Sequence, residues 1–188
     1  MSEPASTLLD YASFLRLRER GEARVELVRG VVVAMAPPSK RHTLIADNLL
    51  VTARAGLAAG PCRPFGQGAE IRPPASGAGD DAFLPDLVIA CGPVDLATPT
   101  VAEPVAIVEV LSPSTAERDA GYKFTRASEI ASLRHYLLVE QDRRMVVHHG
   151  RGAPGEPWTT RLLAEGAVEF GDLGLTLRLE AIYADTGL

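Results

Sequence analysis

The chain has 188 residues, 46% of them apolar and 23% charged, with a formal net charge of −5. These values are typical of one globular domain with a substantial core, so we expect a single domain over residues 1–188. The negative charge argues against a broad basic face for nucleic acid, and no apolar run approaches the roughly 20 residues of a membrane-spanning helix.

Two features of the sequence bear on its compartment. Residues 1–7 lack the basic and apolar regions of a secretory signal, so we expect a cytoplasmic protein with no membrane partner. The chain contains two cysteines, Cys62 and Cys91, and their spacing matches no zinc motif. We expect both to be reduced thiols, as is usual in the cytoplasm.

The first third of the chain alternates helical and extended patterns. Residues 8–20 have apolar side chains at helical spacing, and Gly21 ends that pattern. Residues 24–36 predict a β-hairpin that turns at Arg29 and Gly30. Ser39 is a suitable N-cap for a second helix that runs to about residue 59, and residues 62–72 predict a strand.

The remainder alternates in the same way and then becomes strand-rich. Residues 73–81 predict a flexible loop, after which Pro85 and Asp86 lead into an apolar strand. A strand over 105–112, a helix over 115–130 and a hairpin over 134–149 follow. Short strands over 158–163, 167–170 and 175–179 end the chain, so we expect an α/β or α+β domain with a mixed sheet.

The most informative stretch is the strand that carries Glu109. Its flanking residues are almost all aliphatic, which is typical of a strand covered on both faces. A carboxylate inside such a strand is costly unless a cation, a metal or hydrogen-bond donors pair with it. Pro113 ends the strand, and Ser114 with Glu117 has the spacing of a capping box that would begin the next helix.

Four side chains combine into a candidate site: Glu26, Asp86, Glu109 and Lys123. If the strands of Asp86 and Glu109 are neighbours, their carboxylates converge on one hard cation, and Mg²⁺ needs only two or three such ligands. The backbone carbonyl of Val110 offers a further oxygen. Lys123, in the helix that follows, would hold a water or neutralise charge on a transition state.

Each of these residues also has a structural interpretation. Asp86 alone is typical of a strand entry, and Glu109 alone fits a buried ion pair. Lys123 alone is typical of a surface lysine paired with Asp119, and Glu26 alone of an exposed hairpin position. Considered together, the acids on successive strands and the lysine in the next helix favour a site as much as they favour structural ion pairs.

Other chemistries lack their motifs. Ser112 and Ser114 lack the GxSxG setting of an esterase, and the histidines show no HExxH spacing. Phosphate-binding GxxxxGK[ST] and dinucleotide-binding GxGxxG sequences are absent as well.

Several segments resemble one bacterial family of restriction-endonuclease-like proteins, a domain of unknown function in the PD-(D/E)xK nuclease superfamily. The matching residues are 25–32, 37–39 with 41–42, 84–88, 108–115, Asp119, Gly121, Lys123 with Phe124, 132–133 and 136–139. The most specific is 108–115, which reads Val-Glu-Val-Leu-Ser-Pro-Ser-Thr. The resemblance covers residues 8–149, which is most of the chain.

The resemblance implies a restriction-endonuclease-like core, a mixed sheet flanked by helices with extra C-terminal strands, and a magnesium site. It implies that Asp86 and Glu109 bind the metal, that Glu26 joins the site and that His42 lies nearby. The superfamily's lysine would stand at position 111, which is Leu111 here. The resemblance implies that in this family the lysine has moved to the following helix, where Lys123 stands.

The expected function is a Mg²⁺-dependent endonuclease (with Mn²⁺ as a second candidate metal) that hydrolyses phosphodiester bonds in DNA. The alternative is a catalytically inactive binding module that uses the acids for ion pairing, and a third hypothesis is a toxin-like nuclease that needs a partner. The resemblance also implies a homodimer, because superfamily nucleases often dimerise to cut two strands.

Overall fold

The computed structural model describes residues 8–21, 24–76, 79–112 and 119–188. Its α-helices are α1 (Tyr11–Arg18), α2 (Lys40–Gly56), α3 (Phe124–Ala127) and α4 (Leu179–Ile182), and a π-helical turn at Asp119–Lys123 leads into α3. Its strands are β1 (Val25–Val28), β2 (Val31–Ala34), β3 (Cys62–Phe65), β4 (Leu87–Cys91), β5 (Pro104–Leu111), β6 (His135–Glu140), β7 (Val146–Gly150), β8 (Thr159–Leu163), β9 (Ala167–Phe170) and β10 (Leu175–Arg178). The predicted strand stop at Pro113 and the capping box of Ser114 and Glu117 lie outside the described residues.

Within these residues the central feature is a six-stranded sheet of order β3-β4-β5-β6-β7-β8. The β5–β6 pair is parallel and the other neighbouring pairs are antiparallel, so the predicted mixed sheet is confirmed. The hairpin β1–β2 and the C-terminal pair β9–β10 form two further small sheets. The predicted extra C-terminal strands are therefore present, and helices flank the central sheet.

The two faces of the central sheet bury separate hydrophobic clusters. On one face, Val108 and Val110 of β5 pack with α2, β9 and β10. On the other face, Ile107 packs with Tyr136 and with Ala127 of α3. Because side chains alternate along a strand, Glu109 lies on the second face, the one that α3 covers.

The predicted hairpin and the N-cap of the second helix are confirmed. Arg29 and Gly30 form the β1–β2 turn with φ of 52° and 73°, the left-handed region that a tight hairpin turn requires. Ser39 caps α2 by accepting a hydrogen bond from the backbone of His42 at 3.1 Å. The β3 strand is shorter than predicted, and it ends before Gly66.

The last element differs from the prediction of a strand to residue 179. Residues Leu179–Ile182 form α4, whose first residue is also the end of the alternating pattern of β10. Leu179, Ile182 and Tyr183 are all buried, and their spacing is helical. At Leu179 the spacing of the apolar residues changes from alternating to helical, and this change identifies α4.

The expectation of two reduced thiols is wrong for this structure. Cys62 of β3 and Cys91 of β4 are directly opposite each other in the antiparallel register, and their sulfur atoms form a disulfide. The sequence separation of 29 residues gave no indication of this pairing, which depends on the strand register. In the described part of the chain, no helix is both long enough and apolar enough to cross a membrane.

Candidate metal centre

The antiparallel pairing of β4 with β5 brings the two predicted metal ligands together. Leu87 pairs with Val108, so one further step along the register places Asp86 opposite Glu109. The Asp86 N–H donates to the Val108 carbonyl at 3.2 Å, which continues the ladder past the end of β4. Asp86 and Glu109 are 7% and 4% exposed and line the same cavity.

Lys123 projects into this cluster from the helical turn before α3. Its Nζ lies 2.7 Å from Glu26 Oε1 and 3.1 Å from Glu109 Oε1. Glu26 Oε1 also accepts a hydrogen bond from the backbone N–H of Leu84 at 2.9 Å. The structure therefore brings together the predicted Glu26, Glu109 and Lys123, and all three are buried.

Asp86 is held by three donors. Its Oδ2 accepts the Val110 N–H at 2.8 Å and lies 3.4 Å from His42 Nε2, and its Oδ1 lies 3.4 Å from Gln67 Nε2. Burial lowers the pKa of His42, but the hydrogen bond and charge of Asp86, with a hydrogen bond to the Val110 backbone, outweigh burial and leave this pKa raised. His42 is thus placed to donate to the carboxylate.

The cluster lies at one side of a cavity of about 450 Å³. Its apolar wall is the end of β2 and the segment that follows it. Outside the cluster, the remaining lining residues are Arg24, Ser39, His42, Gln67, Leu84, Val110, Ser112 and Gln141. Such a volume is in the range of ordinary ligand sites and would admit a sugar-phosphate group. The carboxylates are therefore accessible to a small group that enters from this side.

The turn that bears Lys123 is fixed by a second buried carboxylate. Asp81 accepts hydrogen bonds from the Tyr122 hydroxyl at 2.9 Å and from Arg126 Nε at 2.7 Å. The backbone N–H of Arg29 donates to the same carboxylate at 2.8 Å, which ties the β1–β2 turn to this helix. Asp81 was not among the predicted residues, since a polar residue in a loop rich in Asp and Gly carries no signal of burial.

The side chains and backbone groups of the cluster offer a small set of metal donors. In the described residues, no group of three or more His, Cys, Asp or Glu side chains is arranged to hold a metal. The set is instead two carboxylates, Asp86 and Glu109, beside the backbone of Val110. This all-oxygen set fits Mg²⁺, which binds through one or two carboxylates and keeps several waters, and it does not fit a tetrahedral zinc site.

Two of the structural interpretations of single residues are wrong. Glu26 is 0% exposed, so it is not an exposed hairpin residue. Lys123 is 2% exposed, so it is not a surface lysine. The side chain of Asp119, the alternative partner of Lys123, lies outside the described residues. Gln67 also contacts the site and was not predicted, because it follows a glycine in what looked like a simple loop.

Known proteins resemble this chain over most of its length. An uncharacterized protein of Synechocystis sp. is 28% identical over 171 residues, which is 90% of this chain and 88% of that protein. A second uncharacterized Synechocystis protein is 28% identical over 167 residues, covering 87% and 93% of the two chains. Neither relative's name specifies an activity.

A solved structure has the same fold. The crystal structure of a "putative nuclease belonging to DUF820" from Anabaena variabilis matches with a TM-score of 0.74 over 94% of this chain and 98% of that one, at 16% identity. The predicted restriction-endonuclease-like fold is therefore confirmed. The model of the Uma2 family, described as "Putative restriction endonuclease", matches residues 11–180. The chain belongs to the Uma2 family, whose description supports a nuclease-like function.

Proposed function

We propose that this protein is a Mg²⁺-dependent endonuclease that hydrolyses phosphodiester bonds in DNA. The observation that carries the proposal is the pair of carboxylates at the β4–β5 end, Asp86 and Glu109, in one cavity with Lys123. The family description and the nuclease-fold neighbour support the reaction class.

The ion would be held by Asp86, Glu109 and the Val110 carbonyl. When bound, Mg²⁺ supplies positive charge against the phosphate and lowers the pKa of a coordinated water. Mn²⁺ accepts the same oxygen ligands and would substitute for it.

The protein side chains would position the reacting phosphate and balance the charge around it. Lys123 is a buried cation at the edge of the carboxylate pair, where it can stabilise negative charge that develops on the phosphate oxygens. Glu26 holds that ammonium in place through its 2.7 Å contact. Asp86 is oriented by the Val110 N–H, so its second oxygen faces Gln67.

Cleavage of supercoiled plasmid DNA tests the proposal. Wild type should nick the plasmid with Mg²⁺ or Mn²⁺ and not with EDTA. Asp86→Ala, Glu109→Gln and Lys123→Ala should each lose on the order of 10²-fold or more in rate, since each removes an electrostatic group from the reacting centre. Asp142→Ala removes a carboxylate that is 63% exposed and should cleave like wild type.

The proposal fails if all of these proteins share one residual rate, because that result identifies a contaminating nuclease. A rate that is unaffected by EDTA would contradict the metal requirement in the same experiment.

A second candidate, a catalytically inactive binding module, is favoured by one observation. Lys123 already lies between Glu26 and Glu109, which is the geometry of a structural ion pair. Calorimetric titration with Mg²⁺ and Mn²⁺ separates the two. No metal binding by wild type, together with a large loss of stability in Glu109→Gln, would support the binding module.

A further inference from the structure

A half-exposed aromatic surface lies next to the turn that carries Lys123. We define it by Phe124, His149, Trp158 and Arg151, all of which are partly exposed. The Phe124 and His149 rings stack at 4.1 Å between centroids, and Trp158 meets Phe124 edge-on at 5.4 Å. The Arg151 guanidinium lies 4.6 Å from the centre of the Trp158 ring.

The aromatic surface is on the same face of the sheet as Glu109. His149 pairs with Tyr136, and Tyr136 pairs with Ile107, which is two residues before Glu109 on β5. Two strand spacings and two residue rises put the His149 backbone roughly 12 Å from that of Glu109. This is the length of about three or four stacked nucleotides.

The rings are fixed in a way that suits stacking. Arg151 also donates to the backbone carbonyls of Leu133 and Ile130, both at 2.7 Å, so its guanidinium is held over Trp158 without a carboxylate partner in those contacts. His149 is fixed by a 2.8 Å contact with Thr160 Oγ1. In the described residues, no hydrogen bond occupies the indole N–H of Trp158.

The composition of the aromatic surface selects one class of ligand. Aromatic faces with one guanidinium bind unpaired bases, since every base presents a π-face. A duplex keeps its bases stacked inside, so a protein binds it mainly through a broad row of cations that contact the phosphates. The net charge of −5 argues against such a row as the main source of affinity.

We propose that the aromatic surface stacks the unpaired bases of a single-stranded DNA segment and guides its phosphate into the Asp86–Glu109 site. This inference rests on the proposed nuclease function for its connection to the site. The substrate class is then DNA with a single-stranded region beside the cut, such as a locally melted segment of a supercoiled plasmid, in place of a fully paired duplex.

Trp158 is the one tryptophan of the chain, so its fluorescence reports on this surface alone. The titration uses the wild-type protein in EDTA, so that metal-dependent cleavage cannot consume the DNA, with a twelve-nucleotide oligo(dT) or a duplex of equal length. We expect the single strand to quench Trp158 and the duplex to leave it nearly unchanged. An equal response to both, or none, would overturn the proposal.

Matched variants test the individual contacts by anisotropy of a labelled oligo(dT). Phe124→Leu should weaken binding at least about fivefold, the lower end of what one base–aromatic stack contributes. Arg151→Gln should also weaken binding, whereas Arg161→Gln should not, because Arg161 pairs with His148 in the register and its side chain lies on the opposite sheet face. Thermal melts of each variant confirm that it is folded.

The two proposals fail in distinguishable ways. Quenching of Trp158 fluorescence without cleavage of plasmid DNA would support the stacking surface and contradict the nuclease proposal. Cleavage of plasmid DNA without quenching would support the nuclease proposal and contradict the stacking surface.

Discussion

At the scale of single residues, three buried charges meet at the end of β5. Glu26 and Glu109 each contact the ammonium of Lys123, and none of the three side chains is more than 6% exposed. Burying a charge is expensive unless a partner compensates it, so removal of the shared cation leaves two carboxylates in a poorly hydrated space. The lysine is therefore expected to matter for stability as well as for catalysis.

Lys123→Met should lower the free energy of unfolding by about 3 kcal/mol, the range found when one partner of a buried ion pair is removed. Urea denaturation followed by circular dichroism measures this change. The double variant Glu26→Gln/Lys123→Met should recover part of the loss, because it removes one of the two carboxylates that have lost the Lys123 ammonium.

The chain offers a matched control for that prediction. Lys40 and Lys123 are its two lysines, and Lys40 is exposed at the start of α2. Lys40→Met should change stability by less than about 0.5 kcal/mol, as is usual for a surface substitution. Equal losses in the two single variants would contradict the buried ion-pair account.

Glu26 shows what single-residue patterns can and cannot predict. The alternation of β1 correctly places Glu26 on the opposite face from Val25 and Leu27, and it implies that the Glu26 face is exposed to solvent. In the structure both sides of β1 are covered, since Leu27 packs in the cluster with Phe14 while Glu26 meets Lys123. The covering group on the polar side comes from position 123, and no local pattern encodes that contact.

At the scale of elements, the Lys123 turn depends on Asp81. The pKa of Tyr122 is raised by burial and by its hydrogen bond to this carboxylate, which indicates that the phenol stays a donor at neutral pH. Arg126 makes its ion pair with Asp81 one helical turn after Tyr122. Asp81 thereby holds one residue before Lys123 and one residue after it, a helical turn apart.

Asp81→Asn should free this turn and expose Lys123. We expect a stability loss of about 2 kcal/mol, because Arg126 loses a buried charged partner. Acetylation by acetic anhydride, read by mass spectrometry, should then modify Lys123 several-fold faster than in wild type, with Lys40 as the internal standard.

Asp80→Asn is the matched control for that measurement. Asp80 accepts the N–H of Tyr11 at 2.8 Å and so contacts α1 instead of the Lys123 turn. Unchanged Lys123 reactivity in both variants would show that Asp81 does not position the turn.

The β1–β2 hairpin and the start of α2 were predictable because they follow from local patterns, whereas the pairing of the strands in space was not. The β1–β2 turn and the Ser39 cap follow from residue types at fixed offsets. The placement of β6 beside β5, in parallel, depends on the crossover that includes α3 and on burial of both sheet faces. That information is distributed over the whole chain.

At the scale of the whole molecule, a chain of side chains joins the central sheet to the β9–β10 sheet. His135 Nδ1 contacts His148 Nε2 at 3.0 Å, and His135 Nε2 contacts Asp172 Oδ1 at 2.8 Å. Burial, with the nearby His135 and Arg161, lowers the pKa of His148 to about 4. Burial also lowers the pKa of His135, against the opposing effect of Asp172.

These shifts predict acid sensitivity. The folded pKa of His148 is below its unfolded value of 6.5, so the unfolded state binds the proton more readily, and stability present above pH 6.5 is lost as pH falls towards about 4. We expect a loss of about 1–2 kcal/mol after solvent screening, or roughly 2–8 °C in Tm.

Melting curves between pH 7.5 and 4.5 test this prediction against two variants. His148→Gln cannot take up the proton and should flatten the pH dependence. His149→Gln, its neighbour on the opposite sheet face, should retain most of it. A wild-type Tm that does not change across this range would contradict the assignment.

Three properties of the whole molecule stay predictions: one domain over residues 1–188, the homodimer and the cytoplasmic location. Size-exclusion chromatography with light scattering decides the second of these. The homodimer and the cytoplasmic location depend on surroundings of the chain that local sequence patterns do not encode.

The register of β4 on β5 changes between Ile89 and Ala90, three residues after Asp86 and directly before Cys91 of the disulfide. A β-bulge of this kind accommodates an extra residue in one strand. On the Asp86 side of the bulge the pairing must be kept, since Asp86 has to meet the Val110 N–H. The bulge therefore takes up the extra residue next to the Cys62–Cys91 disulfide while the two carboxylates stay in register.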